Sequence, residues 1–586
     1  MILQSLVEYY EAMAEKGKAA CPGWGSVEVS YALELREDGT LSRVIPLLSP
    51  SPDGKKMLPR KMELPAPVKR TNGTESNFLW DNSSYIFGFD GKGNPKRAKQ
   101  CFEAAKKRHL EILDGVGDPF AAAVRSFFNG WDVETAEECP ELQEYLDDIK
   151  KGANLTFRYE GEYPGENASL RRAWQAHYDQ EAEGEQMICL VTGEKTVPVP
   201  THPAIKGVQG AQTSGAALVS FNDSAFCSYD REQNLNAPVS KYAAFAYTTA
   251  LNALLAEKEH TRHFGDTTVV FWTRDAEPAY QDLFANILDG EGEKVSDTTL
   301  RACVDDIAHG RMADWSSIPI KPENSFYVLG LAPNAARLSV RFFLRSSFGD
   351  FVKNVKRHYD DIEITGGERS KFETIPLWLL LRETVNQKAT NKEASPQMAG
   401  DTLRAILSGG RYPSTLYDQT LMRVRAEQDV TGGKAGIIKA YLLRNANNDL
   451  YREAATVALN EDCRETPYIL GRMFSLMENI QESSTGASTI KDGYFNSASS
   501  TPAVVFPLLL KLKNSHMKVL MREKPGLAVT LDKQMTELMD MLPCTFPKHL
   551  LLPEQGEFML GYYHQMQRRY EKKDKAVSAD NDKEVK

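Results

Sequence analysis

The sequence lacks the long apolar runs and the closely spaced cysteines that mark membrane-spanning and zinc-binding proteins. No apolar run approaches the roughly 18 residues that a membrane span needs, since the longest candidates, residues 376–381 and 504–510, are short. The eight cysteines are spread singly, which predicts no zinc knuckle and no redox motif. Glu8 and Glu11 lie where a signal peptide would be uninterrupted apolar. We therefore expect a reduced compartment, with the cytoplasm as the default.

Common catalytic motifs are also missing. There is no Gly-x4-Gly-Lys-Ser/Thr phosphate loop, no Gly-x-Ser-x-Gly turn and no His-Glu-x-x-His pair. His260 and His263 lie three positions apart without an evident third ligand. These absences predict no catalytic residue, no metal and no cofactor. A nuclease or RNA-processing enzyme with an unfamiliar site, which would need acids such as Asp266 or Asp305 and Asp306, stays the alternative.

Composition and charge describe a folded protein with an uneven surface. A chain of 586 residues, 42% hydrophobic and 26% charged, is typical of about three or four soluble folding units. The net charge is 70 − 80 = −10, but residues 51–110 hold 13 basic and 6 acidic residues, whereas residues 111–185 hold 6 and 18. A local positive field on an acidic protein suits a targeted polyanion site. A solvated basic loop beside an acidic surface helix is the alternative interpretation.

Hydrophobic periodicity predicts an α+β protein. Helical spacing appears in residues 2–15, 98–113, 120–131 and 241–256, whereas strict alternation predicts a strand over 27–36 that forms a hairpin with 41–47. Residues 49–73 are too rich in proline, lysine and glycine for regular structure, and short strands are expected between 154 and 199. Residues 266–272 predict a buried strand, and 325–331 with 337–344 predict a last hairpin.

The pattern becomes helical beyond residue 346. Two apolar stripes, over residues 531–542 and 558–570, indicate helices of a bundle. The sequence thus predicts a mixed α+β domain over residues 1–345, a helical linking region over 346–470, and a helical bundle with a frayed tail over 471–586.

Three segments combine residue types that suit a polyanion. Residues 69–82 hold two cations, three asparagines and a tight-turn Asn-Gly pair; cations neutralise phosphates, and asparagine both donates to and accepts from a base edge. Residues 202–216 hold three glycines among small polar residues, which lets a backbone approach a ligand closely. For each segment an ordinary surface loop is the alternative.

The third segment is residues 337–345, where arginines recur at every fourth position. In a strand, Arg337, Arg341 and Arg345 share one face with Phe343, and in a helix the three arginines still share a face. Three aligned like charges repel one another unless they meet a polyanion or an acidic partner. This pattern favours a functional surface.

These segments, with others in the same order along the chain, resemble one family. The sequences that carry the resemblance are MILQSLVEYYE, VSYALEL, KRTNGTESNFLWDNSSYIFG, CLVTGE, HPAIKGVQGAQTSGAALVSFN, NAPVSKYAAFAYTTALN, GDTTVVFW, FYVLGLAPNAARLSVRFF, IKDGYFNSASSTPAVVFP and EQGEFMLGYYHQ. They run from the first residues to about residue 570. The family is the large subunit of the type I-C CRISPR surveillance complex, Cascade.

The resemblance implies a non-enzymatic role in an RNA-guided complex. Such a subunit sits beside the subunit that holds the crRNA handle, reads the protospacer-adjacent motif in duplex DNA, helps to open the duplex and recruits a helicase–nuclease. Guide pairing supplies the long sequence specificity in such complexes. The implied partners are crRNA, target double-stranded DNA, the backbone and handle-binding subunits, the helicase–nuclease and helical small subunits, with no membrane. A separate small subunit can arise by internal translation, for which Met473 and Met477 are candidate starts.

The resemblance also suggests roles for individual residues. The residues assigned to the motif-reading loop are Lys69, Arg70, Asn72 and Asn77. Those expected to contact DNA or crRNA backbone nearby are Lys206, Gln209, Gln212 and Ser214. Arg337, Arg341 and Arg345 are expected to line a nucleic-acid path or to face a neighbouring subunit.

Overall fold

The chain folds into two compact units. A computed structural model describes residues 1–51, 56–68, 70, 73–89, 91, 94–180, 184–289, 297–366, 375–390, 392–445, 450–487 and 489–581. The first unit comprises residues 1–205 and 217–253, and the second comprises residues 206–216 and 254–586. Short sheets lie mostly in the first half of the chain and helices dominate the second, which confirms the predicted α+β class. The division into three domains predicted above stays a prediction.

The first unit combines helices with three small sheets. Its helices are α1 (Ile2–Glu15), α2 (Ser83–Ile86), α3 (Pro95–Ile112), α4 (Pro119–Gly130), α5 (Leu146–Lys150), α6 (Ala168–Tyr178) and α7 (Lys241–Ala256), the last belonging to this unit up to residue 253. Its strands are β1 (Trp24–Val29), β2 (Tyr31–Leu35), β3 (Leu41–Pro46), β4 (Leu48–Pro50), β5 (Met57–Pro65), β6 (Trp80–Asp81), β7 (Leu155–Tyr159), β8 (Met187–Ile188) and β9 (Lys195–Thr196). The sheet orders are β3-β2-β7-β6, β1-β5-β4 and β8-β9.

Side-chain caps begin several helices of the first unit. Asp118 accepts from the amides of Phe120 and Ala121 at the start of α4, and Asn94 accepts from the Arg97 amide at the start of α3. Proline occupies the first turn of both helices, where no backbone hydrogen bond is lost. The apolar faces of α3, α4 and α6 then enclose an aromatic core with Phe78, Phe127, Phe128, Phe157 and Trp174.

The second unit places helices around one larger sheet and continues as a helical bundle. Its strands are β10 (Arg262–Phe264), β11 (Thr267–Thr273), β12 (Ala313–Trp315), β13 (Ile318–Ile320), β14 (Ser325–Asn334) and β15 (Arg337–Ser347). Its helices are α8 (Pro278–Asp289), α9 (Asp297–Ala308), α10 (Phe348–Ile362), α11 (Leu377–Arg382), α12 (Pro396–Ser408), α13 (Ser414–Glu427), α14 (Gly432–Asn445), α15 (Leu450–Ala454), α16 (Thr466–Thr485), α17 (Thr489–Ala498), α18 (Pro502–Glu523), α19 (Pro525–Asp540) and α20 (Leu552–Asn581). The sheet order is β10-β11-β14-β15.

Two apolar clusters stabilise the second unit. One side of its four-stranded sheet packs with α8, α10 and α12 around Phe271, Phe284, Phe326 and Phe348. The other cluster lies within the bundle of α13 to α20, where the Phe474 ring packs against the rings of Phe495, Phe558 and Tyr562. Within the described ranges no helix is long and apolar enough to cross a membrane.

Most long elements confirm the sequence prediction, whereas two regions do not and a third does so only in part. Residues 27–36 are not one strand, because the chain changes sheets at Ser30: β1 pairs with β5, whereas β2 pairs with β3 and β7. Residues 49–73 contain β5 and the end of β4 despite their prolines. Residues 154–199 contain the predicted short strands β7, β8 and β9, but also helix α6, whose Asn167 cap accepts from the amides of Ser169 and Leu170.

Candidate nucleic-acid interface

The buried carboxylate of Asp81 holds the predicted motif-reading loop in the first unit. Arg70 donates from Nη1 to Asp81 Oδ1 at 3.1 Å and from Nη2 to Oδ2. The amides of Asn77 and Asn82 each donate to this carboxylate at 2.9 Å. Burial raises the pKa of Asp81, while Arg70 and the two amides oppose that rise. The bidentate pair and the two amides together fix both ends of the loop.

The loop is also anchored from the opposite side. Leu79 adopts a positive φ of 65°, and its amide donates to Nε2 of His109 at 2.8 Å. The His109 Nδ1–H donates to the Ala105 carbonyl at 2.7 Å, so the ring is neutral with a defined tautomer. Burial lowers the pKa of His109 to about 3. Trp80 donates from its indole to the Pro65 carbonyl at 2.8 Å.

The structure gives two of the predicted loop residues internal partners. The guanidinium of Arg70 lies 3.9 Å from the centroid of the Tyr85 ring, besides its pair with Asp81. Asn77 is buried, and its Oδ1 accepts from the Val68 amide at 2.9 Å. These contacts shape the loop. Lys69 and Asn72 lie outside the described residues, so the assignment of a base-reading role to this loop stays a prediction.

The glycine-rich loop, residues 206–216, belongs to the second unit and lies against its four-stranded sheet. Gly207, Gly210 and Gly215 adopt positive φ, and the Gln209 amide donates to Thr268 Oγ1 on β11 at 3.1 Å. The side chains assigned to backbone contacts are all exposed: Lys206, Gln209, Gln212 and Ser214. The sheet therefore supports this loop through its backbone and leaves these polar side chains exposed.

The prediction that three arginines share one face of β15 is wrong. The pairing of β14 with β15 passes from Gly330↔Phe342 to Leu331↔Val340, so Arg341 is an extra, bulged residue. Paired residues of antiparallel strands lie on the same face. Arg337, opposite Asn334, therefore lies on the other face of the sheet from Arg345, which is opposite Tyr327.

Each of these arginines has its own surroundings. The bulge turns Arg341 toward the β10–β11 turn, where its Nη2 donates to Asp266 at 2.6 Å. The Arg345 guanidinium lies 5.8 Å from the ring centroid of Tyr327. Tyr327 itself stacks with Trp272 and Phe343 in an aromatic layer. The expected role of these arginines in a nucleic-acid path stays a prediction.

Two arginines of α3 that were not among the predicted site residues lie beside the motif-reading loop. Arg97 donates to the Gly73 carbonyl at 3.4 Å, and Arg108 lies with its guanidinium 5.7 Å from the Trp174 ring centroid. Both contribute to the positive charge of residues 51–110. Their spacing of 11 residues, three helical turns, was the signal that places them on one flank of a helix.

The acids of the alternative enzyme hypothesis have cationic partners. Asp266 pairs with Arg341, and Asp306 accepts from Arg311 at 2.8 Å. Across the part of the chain that the structure describes, no group of three His, Cys, Asp or Glu side chains has a metal-binding arrangement.

The comparison with family models defines the class of the protein. Residues 6–570 match the family described as CRISPR-associated protein (Cas_Csd1), so the protein belongs to the CRISPR-associated proteins. The chain is a member of the Cas_Csd1 family, in agreement with its resemblance to the large subunit of type I-C Cascade. A comparison with curated proteins finds no matching sequence.

Proposed function

We propose that the chain is the non-catalytic large subunit of an RNA-guided type I-C Cascade complex. In this role it recognises the protospacer-adjacent motif in double-stranded DNA, promotes duplex opening and recruits the helicase–nuclease. The observation that carries the proposal is the family match over residues 6–570, almost the full length of the chain. The internal anchoring of a cation- and amide-rich loop supports it, because base reading needs side chains held in a defined position.

In this proposal the motif-reading loop contacts bases. Asp81, Arg70 and Asn77 hold the loop in place, while Lys69 and Asn72 read the motif. Residues 206–216 and the arginines of β15 contact the nucleic-acid backbone or a neighbouring subunit. Guide pairing would read the long target, as in other RNA-guided effectors.

The helical end of the chain suggests a relation to small subunits. Met473 and Met477 lie inside α16 and are buried. A product that starts at either residue would lack the first turns of this helix. Probing a cell extract with an antibody to the carboxy terminus tests the hypothesis: a second, shorter band is expected, and a single band contradicts it.

The decisive experiment purifies the complex through a tag on the full chain and measures binding to a duplex library randomised beside the target sequence. The chain is expected to co-purify with crRNA and several subunits. Asn72→Ala should weaken binding of the complex to motif-bearing duplexes by about 1–3 kcal/mol and relax its preference at one base pair. Asn514→Ala, a substitution of an exposed asparagine on α18, is the matched control.

Two results would contradict the proposal. Unchanged affinity and motif preference in Asn72→Ala would exclude this loop as the reader. Cleavage of labelled DNA or repeat RNA by the purified chain with magnesium would favour a nuclease or RNA-processing enzyme instead.

A further inference from the structure

One flank of helix α3 carries cations beside the motif-reading loop. Arg97 and Arg108 are 11 residues apart, which places them on the same side of the helix at a separation of about 16 Å along its axis. The exposed Lys107 precedes Arg108 in the chain but lies about 100° away from it around the helix axis. We call Arg97 and Arg108 the α3 flank. It lies in the first unit, outside the residues assigned to the loop.

Arg108 is a partly buried cation without a carboxylate partner. Its Nε is buried and has no hydrogen-bond acceptor among the described residues. Glu75 and Glu111 are near enough to favour its charge, but neither comes within ion-pair distance in the described part of the chain. Burial lowers the pKa of Arg108, and nearby Arg70 lowers it further. A partly buried guanidinium in this situation would gain from an added anion.

Arg97, the other member of the flank, and the neighbouring Lys107 have only weak partners among the described residues. Arg97 is exposed, and its hydrogen bond goes to a neutral carbonyl, that of Gly73, at 3.4 Å. Lys107 reaches Glu111 only at 3.8 Å, with both side chains mostly exposed. His177, on α6, lies in the same positive surroundings. Burial, followed by the charges of Arg108 and Lys241, lowers the pKa of His177.

On the opposite flank of α3 a cation does have a carboxylate partner. Lys99 lies there in contact with the carboxylate of Glu134. The same helix therefore has a cation with a carboxylate partner on one side and a guanidinium lacking one on the other. Simple solvation of a basic helix does not explain the buried Nε of Arg108.

We propose that the α3 flank binds the phosphodiester backbone of a nucleic acid while the adjacent loop reads its bases. This inference rests on the proposed function. Guanidinium groups suit phosphate because they offer parallel N–H donors and keep their charge. The phosphates belong either to the target duplex beside the motif or to the guide RNA, and the chemistry of the flank is the same for both.

The test compares complexes purified through the tagged full chain with Arg97→Ala, Arg108→Ala or Lys99→Ala. Binding of motif-bearing and motif-free duplexes is measured over a series of salt concentrations, and the guide RNA per complex is quantified. Each arginine variant should lower the affinity of the complex for both duplexes alike, by roughly three- to tenfold. It should also reduce the slope of log affinity against log salt concentration by about 0.9. Lys99→Ala should leave both quantities unchanged.

The outcomes separate the possible sources of phosphate. A reduced salt slope with full guide content assigns the flank to the target duplex. Unchanged duplex binding with reduced guide content assigns it to the guide RNA. The proposal is overturned if an arginine variant changes the preference at one base pair. It is also overturned if both arginine variants keep normal duplex affinity, salt slope and guide content. Because Arg108 packs near Trp174, the exposed Arg97 keeps the test informative if Arg108→Ala fails to fold.

The failure of this proposal can be told apart from the failure of the proposed function. If the unmodified chain co-purifies with no RNA and binds no motif-bearing duplex, the function itself is wrong. If the unmodified complex binds and the α3 variants behave like it, only the phosphate assignment is wrong.

Discussion

At the scale of single residues, burial of the carboxyl group of Glu557 on α20 makes its ionised form unfavourable in the second unit. The residue is 1% exposed, and neither of its oxygens has a hydrogen-bond partner among the described residues. Burial, and then the charges of Glu465 and Glu554, raise the pKa of Glu557 from 4.5 to about 9. The side chain is therefore protonated at neutral pH in the folded protein.

The raised pKa of Glu557 predicts a stability that falls with rising pH. The folded state holds this proton and the unfolded state releases it, so the contribution is complete below pH 4.5 and is lost as pH rises toward 9. Glu557→Gln removes this loss and should raise the free energy of unfolding by about 3 kcal/mol at pH 8, but much less at pH 5. Urea unfolding of the full chain at both values checks it.

A matched control separates this effect from a simple change of net charge. Glu523→Gln removes the same charge from an exposed position of α18, where a change within about 0.5 kcal/mol is expected. If Glu557→Gln instead destabilises the protein equally at pH 5 and pH 8, the prediction is contradicted. The carboxyl group would then make a stabilising contact that does not depend on its protonation state.

At the scale of elements, helices α16 and α20 approach each other through glycine. A Cβ added to Gly471 would lie 1.9 Å from the Phe558 carbonyl oxygen, and one added to Gly561 would lie 2.1 Å from that of Tyr468. Backbone atoms of both helices are therefore in contact, which no other residue type permits. Tyr468 and His564 share a hydrogen bond of 2.8 Å beside this crossing.

This contact predicts that alanine is harmful at a helical position where it usually stabilises. Gly471→Ala should force the two helices apart and cost about 1–3 kcal/mol, the usual cost of overpacking. Gly493→Ala on α17, where no atom lies within 4 Å of the added Cβ, should instead stabilise by about 0.5–1 kcal/mol. Denaturant unfolding of both variants gives the comparison, and equal stability of the two would contradict the close crossing.

The strand β15 shows why a face assigned from periodicity can fail. Alternation predicts that Arg337 and Arg345 share a face because eight residues separate them. One bulged residue, Arg341, reverses the alternation beyond it. The bulge is defined by the pairing with β14, and Arg341 contacts Asp266 there; a local pattern contains neither.

At the scale of the whole molecule, both units contain buried neutral histidines. His109 lies in the first unit, and His358 and His564 lie in the second. Burial lowers their pKa values to about 3, about 3 and about 4, respectively. His358 contacts the Tyr412 hydroxyl at 2.7 Å.

These histidines predict loss of stability in mild acid. In the unfolded chain each takes up a proton below pH 6.5, whereas the folded protein resists protonation down to about pH 3 or 4. Their contribution is therefore complete above pH 6.5 and decreases as pH falls, by up to about 1.4 kcal/mol per pH unit for each. Thermal unfolding between pH 7 and 4.5 should show a steadily falling midpoint.

A histidine variant tests the origin of this slope. His564→Gln keeps an acceptor for Tyr468 and removes one titrating group, so the pH slope should become shallower even if the midpoint at pH 7 is lower. His549→Gln, at an exposed position, should leave the slope unchanged. Identical slopes in the two variants would contradict the role of buried histidine.

The sequence by itself determined the elements whose signals are local, together with the family. The apolar spacing of α1, the run of α7 and the buried strand β11 are properties of neighbouring residues, so periodicity was sufficient to predict them. The family could be inferred because its segments occur in order along the chain, and the match over residues 6–570 confirms it.

Only the tertiary structure decided which side chains are committed to internal partners. The sequence predicted that the side chains of Arg70 and Asn77 contact DNA. In the folded protein, Arg70 instead pairs with Asp81, and Asn77 accepts from the Val68 amide. The separation of β1 from β2, the bulge at Arg341 and the partly buried guanidinium of Arg108 likewise depend on residues distant in the chain. Such contacts form only when the chain is folded, since burial and pairing are properties of the assembled core rather than of any one segment.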